Sequence, residues 1–173
     1  MRLDGEEWPR FFDSFKRAAW RLETLPVYRM PGEQDDLARF RATGKVEVPE
    51  DSAWRRRIRH FCATGRTIGR VHVVTRPLTD YLRWEFAFQA HSVRAGEEIR
   101  VLDLTDRANP GLPGQDFWML DDQIVEMRYD SEGHQIGRFL LDDPDLDQYR
   151  EWKRIAVEHS VPLAEFEEAH LAR

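Results

Sequence analysis

The stretch RVHVVTRPLTDYLRWE brings Arg70, His72, Thr79, Asp80, Tyr81, Arg83 and Glu85 into close succession, with Arg66 just upstream. These residue types handle charge and protons. A histidine near a carboxylate can move a proton. Arginines neutralise phosphates and carboxylates. The free N–H groups at a helix start favour anions. Two chemistries follow. Arg66, Arg70, Thr79, Tyr81 and Arg83 could hold a small anion. Arg70, His72, Asp80 and Glu85 could form a site acting on a phosphate ester or a nucleic acid. A third reading needs no ligand: Tyr81 and Arg83 would tie a helix to later strands through Asp116 or Asp122.

No supporting catalytic set accompanies these residues. GRTIGR precedes a predicted strand, whereas a phosphate-binding loop follows a strand and opens a helix. There is no Gly-x-Ser-x-Gly elbow and no cysteine–histidine signature. His60, His91, His134, His159 and His170 show no metal-ligand spacing with one another, with Cys62 or with a carboxylate pair. DDPDLD lacks the glycine and distal glutamate of a calcium loop. No metal and no cofactor is expected. The single cysteine, Cys62, reads as a buried structural thiol.

Positioning the stretch falls to a strand and a helix. TIGRVHVV is β-branched with a period of two, so it predicts a strand. Thr79 can cap a helix from about Asp80 to Val93, with Asp80 in its first turn. EIRVLDL is the next strand, which makes a β-α-β unit with a parallel pair. Such strand-to-helix junctions are where open α/β sheets bind ligands. Three helices are predicted upstream, over about 4–22, 34–42 and 53–64. The first carries Trp8, Phe11, Phe12, Phe15, Ala18, Ala19 and Leu22 on one stripe. Asp51 or Ser52 caps the third, with Trp54, Ile58, Phe61 and Cys62 on its apolar face and Arg55, Arg56 and Arg59 pointing elsewhere. DFWML, QIVEMRY and QIGRFLL are further strands, turning at Asp121-Asp122 and at DSEG. DDPDLDQYREWKRIAVEH is the last long helix, with Asp142 or Asp143 as cap and Pro144 in its first turn. PLAEFEEAHLAR adds a short one. The fold class is α/β, bordering on α+β. A mixed sheet of about five strands carries an N-terminal helical layer (1–64) and a long C-terminal helix, within a single domain of residues 1–173.

Charge is polarised along the chain. Residues 1–96 hold 18 Lys+Arg against 13 Asp+Glu, and residues 97–173 hold 8 against 19. Arg55, Arg56, Arg57, Arg59, Arg66, Arg70 and Arg76 follow one another with no intervening acid. Such a run attracts nucleic acid, a phosphorylated metabolite, or the protein's own acidic half. A duplex-binding domain is usually basic as a whole, and a net charge of −6 disfavours nucleic acid. No apolar run reaches membrane-spanning length, and the N-terminus lacks a signal-peptide core, so the expected location is the cytoplasm.

Two resemblances attach to these motifs. FFDSFKRAAWRLETLPVY, VHVVTRPLTDYLRWE, DFWMLDDQIVEMRYDSEGHQIG and DDPDLDQYREWK resemble, end to end, an uncharacterised family found mainly in actinobacteria. Its genes often lie near helix-turn-helix regulators and small partner proteins. That likeness implies a regulatory context and a protein partner such as a transcription regulator. Residues 68–159 also resemble one half of a phospholipase D-type domain. That superfamily uses a histidine, a lysine two residues on and an aspartate five further. In GQDFWMLDD the corresponding positions are Gln115, Phe117 and Asp122, or Gly114, Asp116 and Asp121. The likeness therefore implies a catalytically silent relative.

The residues together favour a non-enzymatic regulatory or interaction protein, binding a protein partner or a small anionic ligand through a basic face. An enzyme acting on a phosphate ester or nucleic acid is the alternative, and a homodimer pairing through the sheet or first helix is a further possibility.

Overall fold

The computed structural model describes residues 1–170. It is an α/β structure built on one mixed sheet of seven strands, in the order β6-β5-β4-β1-β2-β3-β7. The strands are β1 (Ala18–Glu23), β2 (Thr67–Val74), β3 (Glu98–Asp103), β4 (Asp116–Leu120), β5 (Gln123–Tyr129), β6 (Gln135–Leu140) and β7 (Val161–Pro162). β1, β2 and β3 run parallel, and β4, β5 and β6 form an antiparallel meander on the other side of β1.

Both faces are covered. Trp20, Leu22, Val71, Leu102, Phe117 and Ile124 pack on one face against α5 (Leu146–Glu158). The opposite face meets α1 (Glu7–Asp13), α2 (Gln34–Thr43), α3 (Ala53–Ala63), α4 (Asp80–Ala95) and α6 (Leu163–His170). There the apolar contacts fall into two groups. Phe12, Phe15, Ile58, Phe61 and Trp118 join α1 and α3 to the sheet. Tyr28, Leu37, Tyr81, Leu82, Phe86 and Phe166 join α2, α4 and α6 to it. Arg21, Glu23, Arg70 and His72 lie on this same face, by strand alternation.

The sheet has seven strands where about five are expected. The largest difference is β1. Residues 18–23 continue the apolar stripe of the first helix, yet they form the middle of the sheet, and the helix ends at Asp13. Tertiary pairing overrides local periodicity here: β1 hydrogen-bonds along both edges, to β2 and to β4. Its start is fixed by Asp121. That carboxylate accepts from the backbone N–H of Lys16 and Arg17 at 2.8 Å each and of Ala18 at 3.0 Å. Residues 1–64 are thus not a purely helical layer. β7, the other addition, is a two-residue edge strand.

Smaller departures have local causes. α5 is capped by Asp145, whose side chain accepts from Gln148 N, so Asp142, Asp143 and Pro144 all precede the helix. Cys62 is exposed rather than buried, because α3 turns Ile58 and Phe61 inward and leaves Cys62 at the edge near Gly96. Arg55 is buried, donating to Pro49 O. Ser52 caps α3 and Thr79 caps α4, as their sequence positions suggest. The predicted tail helix is present as α6; Leu171, Ala172 and Arg173, the end of that stretch, lie outside the described residues. No helix among the described residues is long and apolar enough to cross a membrane.

Candidate ligand-binding site

The parallel register sets Arg21 opposite Arg70 and Glu23 opposite His72. Alternation points all of these to the face where the two apolar groups part. Four ionisable side chains side by side in a sheet interior require partners, and each has them. Arg70 Nε is 2.6 Å from Glu97 Oε1, and its Nη1 is 3.4 Å from Glu23 Oε1. Arg21 Nε is 3.2 Å from the same Glu23 oxygen, and its Nη2 donates to Tyr129 Oη at 2.8 Å. His72 uses both ring nitrogens: Nδ1 is 2.8 Å from Glu23 Oε2, and Nε2 is 2.6 Å from Gln89 Oε1. Asp116, on β4, accepts from Tyr28 Oη at 2.5 Å and from Thr24.

This network floors a cavity of about 380 Å³. Its size falls within the range of about 300–1,000 Å³ usual for small-molecule sites. α1 contributes Trp8 and Phe12 to the lining, and α3 contributes Trp54 and Arg57. The segment after β1 supplies Tyr28, Met30 and Glu33, and α4 supplies Tyr81 and Glu85. The β5–β6 hairpin closes it with Met127, Tyr129, Gln135 and Arg138. The tryptophan rings are already faced by guanidinium groups. Arg138 lies 5.2 Å from the Trp8 ring, Arg57 5.1 Å from Trp54 and Arg70 5.6 Å from Trp118. Stacking of this kind holds arginines in fixed positions.

The acids divide by environment. Burial works to raise Glu23, but Arg21, His72 and Arg70 outweigh it and hold Glu23 well below the usual carboxylate range. Burial likewise works to lower His72, and Glu23 outweighs it, so His72 is raised. Burial and then the Glu23 charge push Glu85 up. Burial, and then Glu85, push Glu33 up to about 8. Tyr81 Oη stands between these last two, 3.2 Å from Glu85 Oε2 and 3.5 Å from Glu33 Oε2. One hydroxyl proton cannot serve both carboxyls. Buried polar atoms on the hairpin side lack partners altogether: Gln135 Nε2 and Arg138 Nε have none among the described residues.

Of the residues singled out in sequence, Arg70, Tyr81 and Glu85 line the cavity, and His72 stands behind Glu23. The other four lie elsewhere. Arg66 donates to the backbone carbonyls of Asp13 and Phe15. Thr79 accepts from Leu82 N and donates to Pro26 O. Asp80 is exposed beside Arg41, at 3.5 Å. Arg83 is exposed near Arg76 and Thr105. They separate because residue 79 begins a helix: Tyr81 and Glu85 share its inward face, whereas Asp80 and Arg83 take the outward one. Tyr81 reaches Glu33 and Glu85, not Asp116 or Asp122, and Asp122 pairs with Arg17 and Arg150. The arginine run does not gather on one face. Arg57 pairs with Asp13, Arg70 with Glu97 and Glu23, and Arg76 with Asp103 and Asp106. In the phospholipase D-like register, Phe117 is fully buried in the core, and Gln115 donates to Met127 O.

Arg21, Glu23, Tyr28, Glu33, Gln135 and Arg138 escaped the sequence reading. AAWRLE does alternate charged and apolar residues, which is a strand signal, but the helical stripe running into it concealed that signal. One exposed group, Asp130, Glu132 and His134, could approach a metal ion. Its atoms already bond within the turn: Asp130 Oδ1 accepts from the N–H of Glu132 and of His134.

No curated protein and no solved structure matches the chain. Residues 6–168, which include both walls and the floor of the cavity, match the model of a family described as "Domain of unknown function (DUF6879)", and the chain therefore belongs to the DUF6879 family of domains.

Proposed function

We propose that this domain binds a small polar molecule in the cavity above β1 and β2, and acts as a ligand-responsive regulatory or interaction module rather than a catalyst. The carrying observation is the cavity itself: about 380 Å³, floored by an ion-paired Arg21–Glu23–Arg70 set and walled by aromatic rings. Such a lining is pre-organised, so little side-chain freedom remains to be lost on binding. His72 speaks against the enzymatic reading that centred on it. Both of its nitrogens are engaged by Glu23 and Gln89, so neither is offered to a substrate. The internal position of the charges moves the anion-binding idea from an outer basic face to this interior. A protein partner, such as the transcription regulator suggested by the family resemblance, would sense the filled or empty state from outside.

Purification from the native host, followed by denaturation and mass spectrometry of released small molecules, tests the reading. It is paired with thermal-shift screening of the emptied protein. A true ligand at a hundredfold excess over its Kd adds about 2.7 kcal/mol of stability. No released molecule and no stabilising compound would refute it.

A second reading has its own observation. Glu33, pushed up to about 8, stands beside Glu85, and paired carboxyls of unlike environment serve acid–base catalysis. That reading keeps an enzyme acting on a phosphate ester or nucleic acid as the alternative. It expects turnover on a phosphodiester or nucleotide panel that disappears in Glu33→Gln.

A further inference from the structure

The floor of the cavity is ion-paired, with Arg21 Nε and Glu23 Oε2 each at ion-pair distance from a partner but without aligned hydrogen bonds, and its two ends lack opposite charges. Arg21 and Arg70 spend their charge on Glu23, Glu97 and Tyr129. At one end Tyr81 Oη lies between Glu33 and Glu85, and Gln89 Nε2 donates to the other Glu85 oxygen at 2.7 Å, so four carboxyl oxygens meet two donors. At the other, on β6, Gln135 Nε2 and Arg138 Nε are buried donors without acceptors. The rings of Tyr81, Tyr28 and Tyr129 run from the first end toward the second, with centroid separations of 5.9 and 5.0 Å. Surplus acceptors and surplus donors therefore stand at opposite ends of this tyrosine row, within one cavity.

Buried donors left unpaired are costly, and two adjacent carboxyls with no cation between them are unfavourable as well. A ligand that answers both ends at once relieves both costs. On the small-molecule reading above, we propose that the ligand is a small zwitterion of amino-acid type, its ammonium group held by Glu33, Tyr81 and Glu85 and its acidic group by Arg138 and Gln135. A monovalent anion would satisfy the β6 end and leave the carboxyl end without a cation. A simple amine would do the reverse. Tyr81 contacts both acids and Gln89 donates to Glu85, while the charges of Glu23, His72, Arg70 and Asp36 act on them from farther off. In the empty cavity Glu33 retains its proton up to about 8. An ammonium group placed beside it favours the carboxylate, so binding at neutral pH releases a proton.

The test uses the full chain and a matched panel: the common amino acids, ornithine and γ-aminobutyrate, each with its N-acetyl derivative and its methyl ester. Thermal shift finds binders. Calorimetry at pH 7 in two buffers of different ionisation enthalpy counts protons. At least one zwitterion is expected to bind with proton release, and either acetylation or esterification to weaken it tenfold or more. Glu33→Gln, at a partly exposed position, is expected to fold with a melting temperature at pH 7 no lower than the parent's, weaken binding tenfold and abolish the proton release. Arg138→Gln is expected to weaken the same zwitterion without altering proton release. A one-ended derivative that binds as tightly as its zwitterion overturns the inference while leaving small-molecule binding intact. So does a non-zwitterionic molecule released from the natively purified protein. If no panel member binds and nothing is released, both readings fall.

Discussion

Glu23 and His72 face each other across the parallel β1–β2 pair, with His72 Nδ1 2.8 Å from Glu23 Oε2. The same carboxylate lies beside Arg21 and Arg70, so three buried basic groups share one acid, with Glu97 the closer partner of Arg70. Glu23 is 5% exposed, too little for water to replace it. Removing one partner of a buried pair costs about 3–5 kcal/mol, because the remaining charges stay buried. Glu23→Ala should therefore lose about that much, read as the urea midpoint with an unchanged slope. A loss below about 1 kcal/mol would show that the network is dispensable.

Stability should fall as the pH rises from mildly acidic to mildly alkaline. Glu33 titrates near 8 in the folded chain and near the ordinary glutamate value of about 4.3 when unfolded. Between those values the folded state holds more protons, so each step up in pH favours unfolding. Glu85, also raised, acts in the same direction. His72 does too: its contribution is complete below the unfolded value of about 6.5 and is lost as the pH passes its raised folded value. Melting temperatures of the protein and of Glu33→Gln between pH 5 and 9 check this. The variant should show the shallower decline.

Asp121 anchors the entry into the central strand. Its carboxylate accepts three consecutive backbone N–H groups, and its own N–H donates to Ala18 O at 2.8 Å. Asp121 adopts a φ of 54°, which asparagine also tolerates. Asp121→Asn keeps that backbone and removes the charge, so it should cost about 1–3 kcal/mol. Against its partial burial, those N–H donors hold Asp121 below the usual carboxylate range. Its stabilisation is therefore present at neutral pH and disappears only as the pH falls through that lowered value. The difference between variant and parent should shrink in strong acid, as equilibrium unfolding at pH 7 and pH 3 would show.

Gly133 lets the β5–β6 turn touch the segment that carries Tyr28 and Glu33. Its φ is +90°, its carbonyl accepts from Arg29 N at 2.9 Å, and a Cβ there would lie 2.4 Å from Val27 O. Gly133→Ala must strain the turn and displace that segment. A loss of about 2 kcal/mol or more is expected, with weaker ligand binding because Tyr28 and Glu33 move with it. Unchanged stability would mean that the turn and the segment separate freely.

Much of this protein is legible in its sequence, for local reasons. The β2–α4–β3 unit follows from a β-branched run, a capping Thr79 and a second strand, and each of those signals is complete within a few residues. The meander and α5 are likewise announced by turns and by an apolar stripe. Tyr81 and Glu85 fall on one helix face by spacing alone. The sequence also places His72 and Val74 on the opposite strand face from Val71 and Val73.

Tertiary structure decided the rest. Residues 18–23 satisfy a helical stripe and a strand alternation equally, and only two neighbouring strands offering hydrogen bonds along both edges resolve the choice. The cavity depends on that outcome. Arg21 and Glu23 reach Arg70 and His72 because β1 lies beside β2 in one particular register, and Glu33 and Arg138 join them from segments far apart in the chain. No local pattern encodes such a meeting. It arises because buried charges must find one another, and the fold that buries them determines which ones can.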